Sequence, residues 1–237
     1  MKTEFLFRDD AYLTQADATI LAVTTSGGLI LDRSLFYPTG GGQPGDKGHL
    51  QWPDGQRLAI TNTVYGEDRE TIAVIPEQGS PLPPVGSKVT QELDWALRLV
   101  RMRVHTCLHL LTTVLPYPVT GGTIGDGEGR LDFDIPDAGL DKDAIEAELA
   151  RRIDTHSDVT YEWITDDELL AKPDLVKTMS VKPPMGSGRV RLVRIGTLDL
   201  QPCGGTHVRN TSEIGKVLIT GIEKKGKQNR RVRMALV

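Results

Sequence analysis

The sequence predicts an α+β fold on three observations: strand-like segments fill residues 3–93, one long amphipathic helix follows directly, and shorter helices and strands alternate to the end. The 237 residues suffice for one large domain or two modest ones, each with its own core. We place a β domain over residues 1–90 and a second domain over 91–237. A formal net charge of −4 excludes a generally basic nucleic-acid binder, so any such contact must rest on a local patch. Two cysteines in unlike surroundings offer no disulfide framework, which fits a reducing compartment. With no basic-then-apolar leader and no apolar run of about 18 residues, the expectation is a soluble cytoplasmic protein without a membrane partner.

In the first third, Ala18–Thr24, Leu29–Tyr37 and Thr71–Ile75 are rich in β-formers. Turn signals at Ser26-Gly27-Gly28, Pro53-Asp54-Gly55 and Gly66-Glu67-Asp68 separate them, and short strands in hairpins suggest a small barrel or a sandwich. Within this region lies the glycine-rich stretch Phe36–Gly48. It lacks the Gly-Lys-Ser/Thr ending of a phosphate loop, and no helix follows it. It is either a plain hairpin or a place where the amides of Gly40, Gly41 and Gly42 approach a ligand, with Gln43 adding a side-chain amide. Pro81–Gly86 is a connector, and Lys88–Leu93 a last strand closing the first domain.

Asp94 then caps a helix that runs to Leu115 and is stopped by Pro116. At 100° per residue, Leu93, Leu97, Val100, Val104, Cys107, Leu108, Leu111 and Leu115 form a stripe roughly 100° wide, the buried face. His105 and His109 lie away from its centre with Arg98 and close to Arg101, so the helix is expected to present histidine with arginine on its other side. Val119–Gly129 reads as a turn-rich loop, and Arg130–Ile135 as a half-buried strand whose Asp132 and Asp134 are more simply solvated than an acid/base couple. Asp141–Asp154 reads as a helix, Val159–Thr165 as a strand, Asp166–Ala171 as a short helix, Lys182–Gly188 as a loop and Arg189–Ile195 as a strand. Val217–Glu223 and Arg230–Leu236 form a final hairpin whose turn and second strand carry Lys224, Lys225, Lys227, Arg230 and Arg231. A basic run is usually a solvated face, but here it stands out against an acidic chain and suits phosphate contact.

Two stretches carry the chemistry: His105-Thr-Cys-Leu-His109 and Cys203-Gly-Gly-Thr-His207. The first puts two imidazoles one helical turn apart on one face. In the second, the glycines argue against a helix, so Cys203 and His207 approach from a tight loop. A histidine pair at helical spacing is often mere packing, but the two pairs together use four of the seven Cys and His residues. Three imidazoles and a thiolate suit one zinc ion per chain. Of the others, Cys107 belongs to the core, while His49 and His156 are surface residues. Next to such an ion, Asp199 is a candidate base, and the amides of Gly204 and Gly205 are candidate oxyanion donors.

His105-Thr-x-x-His109-Leu-Leu, Pro202-Cys-Gly-Gly-Thr-His-Val208 with Thr211-x-Glu-Ile-Gly215, and the glycine-rich Phe36–Gly48 together resemble the AlaX family of alanyl-tRNA editing proteins, in its medium-length form. They also resemble the editing domain of alanyl-tRNA synthetase and, more loosely, that of threonyl-tRNA synthetase. The resemblance implies a β-barrel domain ahead of a two-layer α/β editing domain built on the zinc-ligand helix. It implies an ATP-independent aminoacyl-tRNA deacylase that hydrolyses serine or glycine from mischarged alanine tRNA and needs no protein partner. Carried over by position, His105, His109, Cys203 and His207 hold zinc, Thr123 contacts the serine hydroxyl, and Gly40–Gly42 and Gln43 lie near the pocket entrance or the tRNA. Cys107 stands where a small residue such as alanine is common. The rival readings are a non-catalytic RNA-binding module stabilised by zinc and a metal-dependent hydrolase of small molecules.

Overall fold

A computed structural model describes residues 1–136, 139–179 and 188–237. It is a mixed α+β structure of two compact units, Met1–Leu99 and Val100–Val237. The loop expected over Lys182–Gly188 lies outside the described residues except at Gly188. Among the described residues, no helix is long and apolar enough to cross a membrane.

The first unit contains β1 (Glu4–Phe5), β2 (Gln15–Val23), β3 (Leu29–Leu31), β4 (Arg33–Ser34), β5 (Gly48–Gln51), β6 (Arg57–Tyr65), β7 (Ile72–Pro76) and β8 (Lys88–Leu93). Six of them close a barrel in the order β2-β3-β7-β6-β5-β8, which decides between barrel and sandwich. Closure is completed where β8 pairs with both β2 and β5, so β8 runs across the boundary expected at residue 90. Alternation along the strands sends Ala18, Ile20, Leu50, Leu58, Ile60 and Val89 inward to a common core with Leu29, Leu31 and Val74.

The single strand expected over Leu29–Tyr37 is two short ones. Asp32 interrupts it, its carboxylate accepting from the Thr19 and Arg33 amides, and Leu35, Phe36 and Tyr37 then turn inward and are buried. In the glycine-rich stretch, Gly40 and Gln43 exchange backbone hydrogen bonds of 3.0 and 2.9 Å, with Gly41 and Gly42 at φ of +57° and +83° between them. Two successive positive φ values define a tight turn that residues with a Cβ adopt reluctantly.

The helix α1 (Trp95–Val114) starts in the first unit and continues into the second. Asp94 caps it, its carboxylate accepting from the Leu97 amide at 3.1 Å. Next come β9 (Val119–Ile124), β10 (Glu128–Asp134), α2 (Lys142–Ile153), β11 (Val159–Thr165), α3 (Asp166–Leu170), β12 (Arg189–Ile195), β13 (Asp199–Pro202), β14 (Val217–Lys224) and β15 (Asn229–Leu236). The segment read as a loop over Val119–Gly129 is a hairpin instead, because Val119 to Ile124 pairs with β10 despite its two glycines. The strands make two antiparallel sheets, β14-β15-β10-β9 and β11-β12-β13. Asp141 caps α2 through the amides of Asp143 and Ala144, and Thr165 with Glu168 forms a capping box on α3.

The position of α1 in the second unit follows from Gly129. A Cβ there would meet Val104 Cγ1 at 2.7 Å and Leu108 Cδ1 at 3.2 Å, so the four-stranded sheet lies against the Val104–Leu108 flank. Residues 105, 106 and 109 point about 130° away from that flank at 100° per residue. Their side is covered too: between Arg101 and Thr112, Arg103 alone is more than slightly exposed. A surface of histidine with arginine, as the apolar stripe suggested, is therefore replaced by a helix enclosed on nearly all sides.

Candidate metal centre

One ligand atom from each of His105, His109, Cys203 and His207 lies within 4.8 Å of all the others. Cys203 Sγ is 3.4 Å from His105 Nε2 and 3.4 Å from His207 Nε2. Tetrahedral coordination at 2.0–2.3 Å requires donors about 3.3–3.8 Å apart, so the residues fit one ion between them. The set of three imidazoles and a thiolate excludes the hard, oxygen-seeking cations. His207 is fully buried, His105 and His109 are 7% exposed, and Cys203 is half-buried, the most exposed residue of the four.

Two of the three rings face a partner behind them. Thr106 donates its hydroxyl proton to Met102 O at 2.9 Å, leaving its oxygen to accept from the Val208 amide at 3.2 Å and from His207 Nδ1 at 3.1 Å. His207 is thereby a Nδ1–H tautomer with Nε2 facing Cys203. His109 Nδ1 faces Asp199 Oδ2 at 3.4 Å, a charge contact rather than a well-aligned hydrogen bond. The ligand loop is pinned by Arg191, which donates to Cys203 O at 3.0 Å and to Gly205 O, while Cys203 N donates to Arg191 O at 3.1 Å.

These contacts set the charges. Burial disfavours the Cys203 thiolate, but the neighbouring imidazoles of His105, His207 and His109 hold its pKa well below the usual thiol value. Burial and the charges of His105 and His109 hold His207 well below the ordinary imidazole value. Burial also pulls His109 down, yet the Cys203 charge and the contact with Asp199 outweigh it and raise His109 to about 9. Cys107, with no such neighbours, is pushed up to about 12 by burial and is core as expected.

Several candidate residues stand elsewhere than expected. Asp199 is not poised as a base: burial notwithstanding, His109 and Lys177 hold its carboxyl at about 2, and it also accepts from Gln201 Nε2 at 2.7 Å. Gly205 spends its amide on Cys203 Sγ at 3.4 Å, which leaves Gly204 as the loop's candidate donor. Arg98 is fully buried in the first unit and not offered to nucleic acid; it pairs with Asp46 and donates to Ala11 O at 2.8 Å and Leu35 O at 2.7 Å. Arg101 is 2% exposed and paired with Asp126 at 2.8 Å.

Gly41 and Gly42 are exposed at their turn, whereas Gln43 is 1% exposed. Thr123 is exposed on β9 beside Ile124, whose partner Gly129 faces α1, so its side chain leaves the sheet on the face away from the histidines. In the terminal hairpin Lys225 and Arg233 pair with Glu223, and Arg231 pairs twice with Asp132. Among the described residues Lys224, Lys227 and Arg230 form no ion pair.

Thr106, Lys177 and Arg191 were missed at the sequence level. Thr106 was visible inside the His-Thr-Cys-Leu-His motif, but Lys177 and Arg191 carry no local signal that separates them from surface cations.

Residues 190–233 match the family model described as the threonyl and alanyl tRNA synthetase second additional domain. That span includes Cys203 and His207. The whole chain is similar to curated proteins. It is 32% identical to alanyl-tRNA editing protein AlaX-M of Methanosarcina mazei, over 99% of this chain and 97% of that protein. It is 32% identical to AlaX-M of Saccharolobus solfataricus, over 97% of both. It is 34% identical to alanine–tRNA ligase of Korarchaeum cryptofilum, over 92% of this chain but 24% of that enzyme.

Proposed function

The chain belongs to the AlaX family of alanyl-tRNA editing proteins, and from that premise we propose that it hydrolyses the ester joining serine, or glycine, to alanine tRNA. The observation that carries the reading is the convergence of His105, His109, Cys203 and His207, with Cys203 the most exposed of the four. We take the ion to be zinc, one per chain, on the chemistry of these donors. When bound, zinc supplies a Lewis acid that can position the substrate and stabilise developing negative charge.

The chain's own residues do the rest. An aminoacyl ester is already activated, so the protein needs chiefly to orient it and to offer donors where the carbonyl oxygen gains charge. Gly204, in the half-buried stretch beside Cys203, is the proposed donor. Asp199 and Thr106 act from behind, holding His109 and His207 in orientation. Serine cannot be favoured over alanine by size, so the pocket must contain a polar group that alanine leaves unpaired. Thr123→Val tests the candidate from the family pattern; unchanged relative rates on seryl and alanyl esters would remove Thr123 from the role, the outcome its outward position on β9 favours.

The test is incubation of the purified protein with seryl- and alanyl-charged alanine tRNA, with and without a chelator. Rapid loss of the seryl ester alone, abolished by chelation, is expected; survival of both esters would refute the reading. One observation favours a non-catalytic RNA-binding role: a complete four-ligand set is usual for structural zinc. Under that role the unaltered protein would bind tRNA without hydrolysing its ester, and Cys203→Ala would unfold it outright. Under the editing role it leaves a folded protein that binds tRNA and no longer deacylates it.

A further inference from the structure

The three-stranded sheet has a face that continues past the metal centre. Register places Trp163 opposite Arg191, Tyr161 opposite Val193, Val193 opposite Gln201, and Ile195 opposite Asp199. Directly paired residues share a face, so Asp199, Gln201, Val193, Arg191, Tyr161 and Trp163 all stand on one side. At one end of that side Asp199 meets His109, and Gln201 donates to Thr112 Oγ1 at 3.3 Å on the same helix. At the other end two cations lie over two rings: Arg191 is 4.6 Å from the Tyr161 centroid and Arg189 is 5.2 Å from that of Trp163. Arg191 joins the ends, because the same guanidinium holds the Cys203 and Gly205 carbonyls.

Trp163 is 39% exposed, although a tryptophan with a guanidinium on one side has apolar area worth covering. An exposed indole flanked by arginines, in a chain of net charge −4, matches a ligand that joins flat aromatic rings to negative charge. The distance matches as well. With neighbouring strands ~4.8 Å apart, the Trp163 backbone lies two strand spacings, ~10 Å, from Cys203, which sits just past the end of β13. That span suits a base one or two nucleotides away from an ester held at the metal centre.

We infer that the Tyr161–Trp163–Arg189 face is a stacking platform for an unpaired base next to the terminal adenosine of a single-stranded RNA end. This rests on the tRNA reading above and adds a subsite to it. Trp163 supplies the ring and Arg189 the charge, while Arg191 stays committed to the ligand loop.

Trp163→Ala and Trp163→Phe are compared with the unaltered protein on seryl-charged alanine tRNA and on 3′-O-seryl adenosine, which lacks the neighbouring nucleotides. For Trp163→Ala the KM on tRNA is expected to rise about 5- to 150-fold, the range of one lost base stack, with kcat within about twofold. Trp163→Phe should restore most of the affinity, and 3′-O-seryl adenosine should be hydrolysed equally by all three. An unchanged KM on tRNA, or an equal loss on seryl adenosine, overturns the platform. Binding is also read without hydrolysis, using an acceptor-stem hairpin ending in unpaired CCA and a blunt hairpin. The unaltered protein should prefer the CCA end and Trp163→Ala should lose that preference; equal preference in both proteins overturns the inference whatever the ester assays give. An unaltered protein that hydrolyses neither ester, yet shows Trp163-dependent CCA binding, would instead sink the editing reading and keep the platform.

Discussion

Replacing Arg98 by methionine tests whether this arginine serves the barrel or nucleic acid. In the structure its guanidinium is fully buried, pairs with a carboxylate that is 1% exposed, and satisfies the carbonyls of Ala11 and Leu35. Methionine fills most of the volume and removes every donor. Asp46 then keeps the Tyr37 amide at 2.6 Å but loses the guanidinium, an incompletely compensated buried charge. Removing one member of such a pair costs about 3–5 kcal/mol, more than a typical surface change by an order of magnitude.

With a urea m-value of about 2 kcal/mol per molar for a unit of this size, the unfolding midpoint should drop by about 2 M. A Trp163→Phe background makes the assay specific, because the remaining tryptophans, Trp52 and Trp95, both belong to the first unit. Replacing Asp46 by leucine as well should recover a large part of the loss, since a hydrophobic pair of similar volume is often as stable as a buried ion pair. A midpoint shift below about 0.5 M, with weaker tRNA binding and a salt slope reduced by about one, would show that Arg98 contacts phosphate and would refute the buried-pair account.

Other consequences follow from the metal centre and the hairpin. Asp199→Asn removes the charge that turns His109, so zinc affinity should fall about 10- to 100-fold in competition with a chromophoric chelator; an unchanged affinity would mean that Asp199 does not orient the ring. His109 is raised to about 9, so in the metal-free chain its protonation contributes stability fully below about pH 6.5 and loses it as pH climbs to about 9. An ion requires the neutral ring, so zinc binding at pH 7 should release the His109 proton. Titration calorimetry in two buffers of different ionisation enthalpy detects it, and a release near zero contradicts the raised His109. Changing Lys224, Lys227 and Arg230 together to glutamine should weaken tRNA binding and flatten its salt dependence, with the ester rate on seryl adenosine unaffected. A salt slope identical to that of the unaltered chain would remove the hairpin from the RNA contact.

How far local pattern reaches is clear from particular segments. Val159–Thr165 and Arg189–Ile195 coincide with their strands, and Asp94 caps the helix it was expected to cap, because alternation and capping act within a few residues. Val119–Ile124 did not declare itself: two glycines and two threonines weigh against a strand until β10 supplies a partner for the ladder. The arginines on α1 were misjudged for a similar reason. Helical periodicity shows that Arg98 shares a direction with His105 and His109, but not whether that direction leads to water or to a carboxylate 52 residues away.

Two short motifs, read with no coordinates, singled out the four residues that could share one ion, because ligand spacing on a helix and in a glycine loop is a property of adjacent residues. Tertiary structure alone decided that the four atoms lie within 4.8 Å of one another, that Thr106, Asp199 and Arg191 contact the rings or their loop, and that His109 and Lys177 hold the Asp199 carboxyl at about 2 despite its burial. Charge state and orientation depend on which groups burial brings within a few ångströms, and those groups come from segments about ninety residues apart, a distance over which sequence pattern carries no signal.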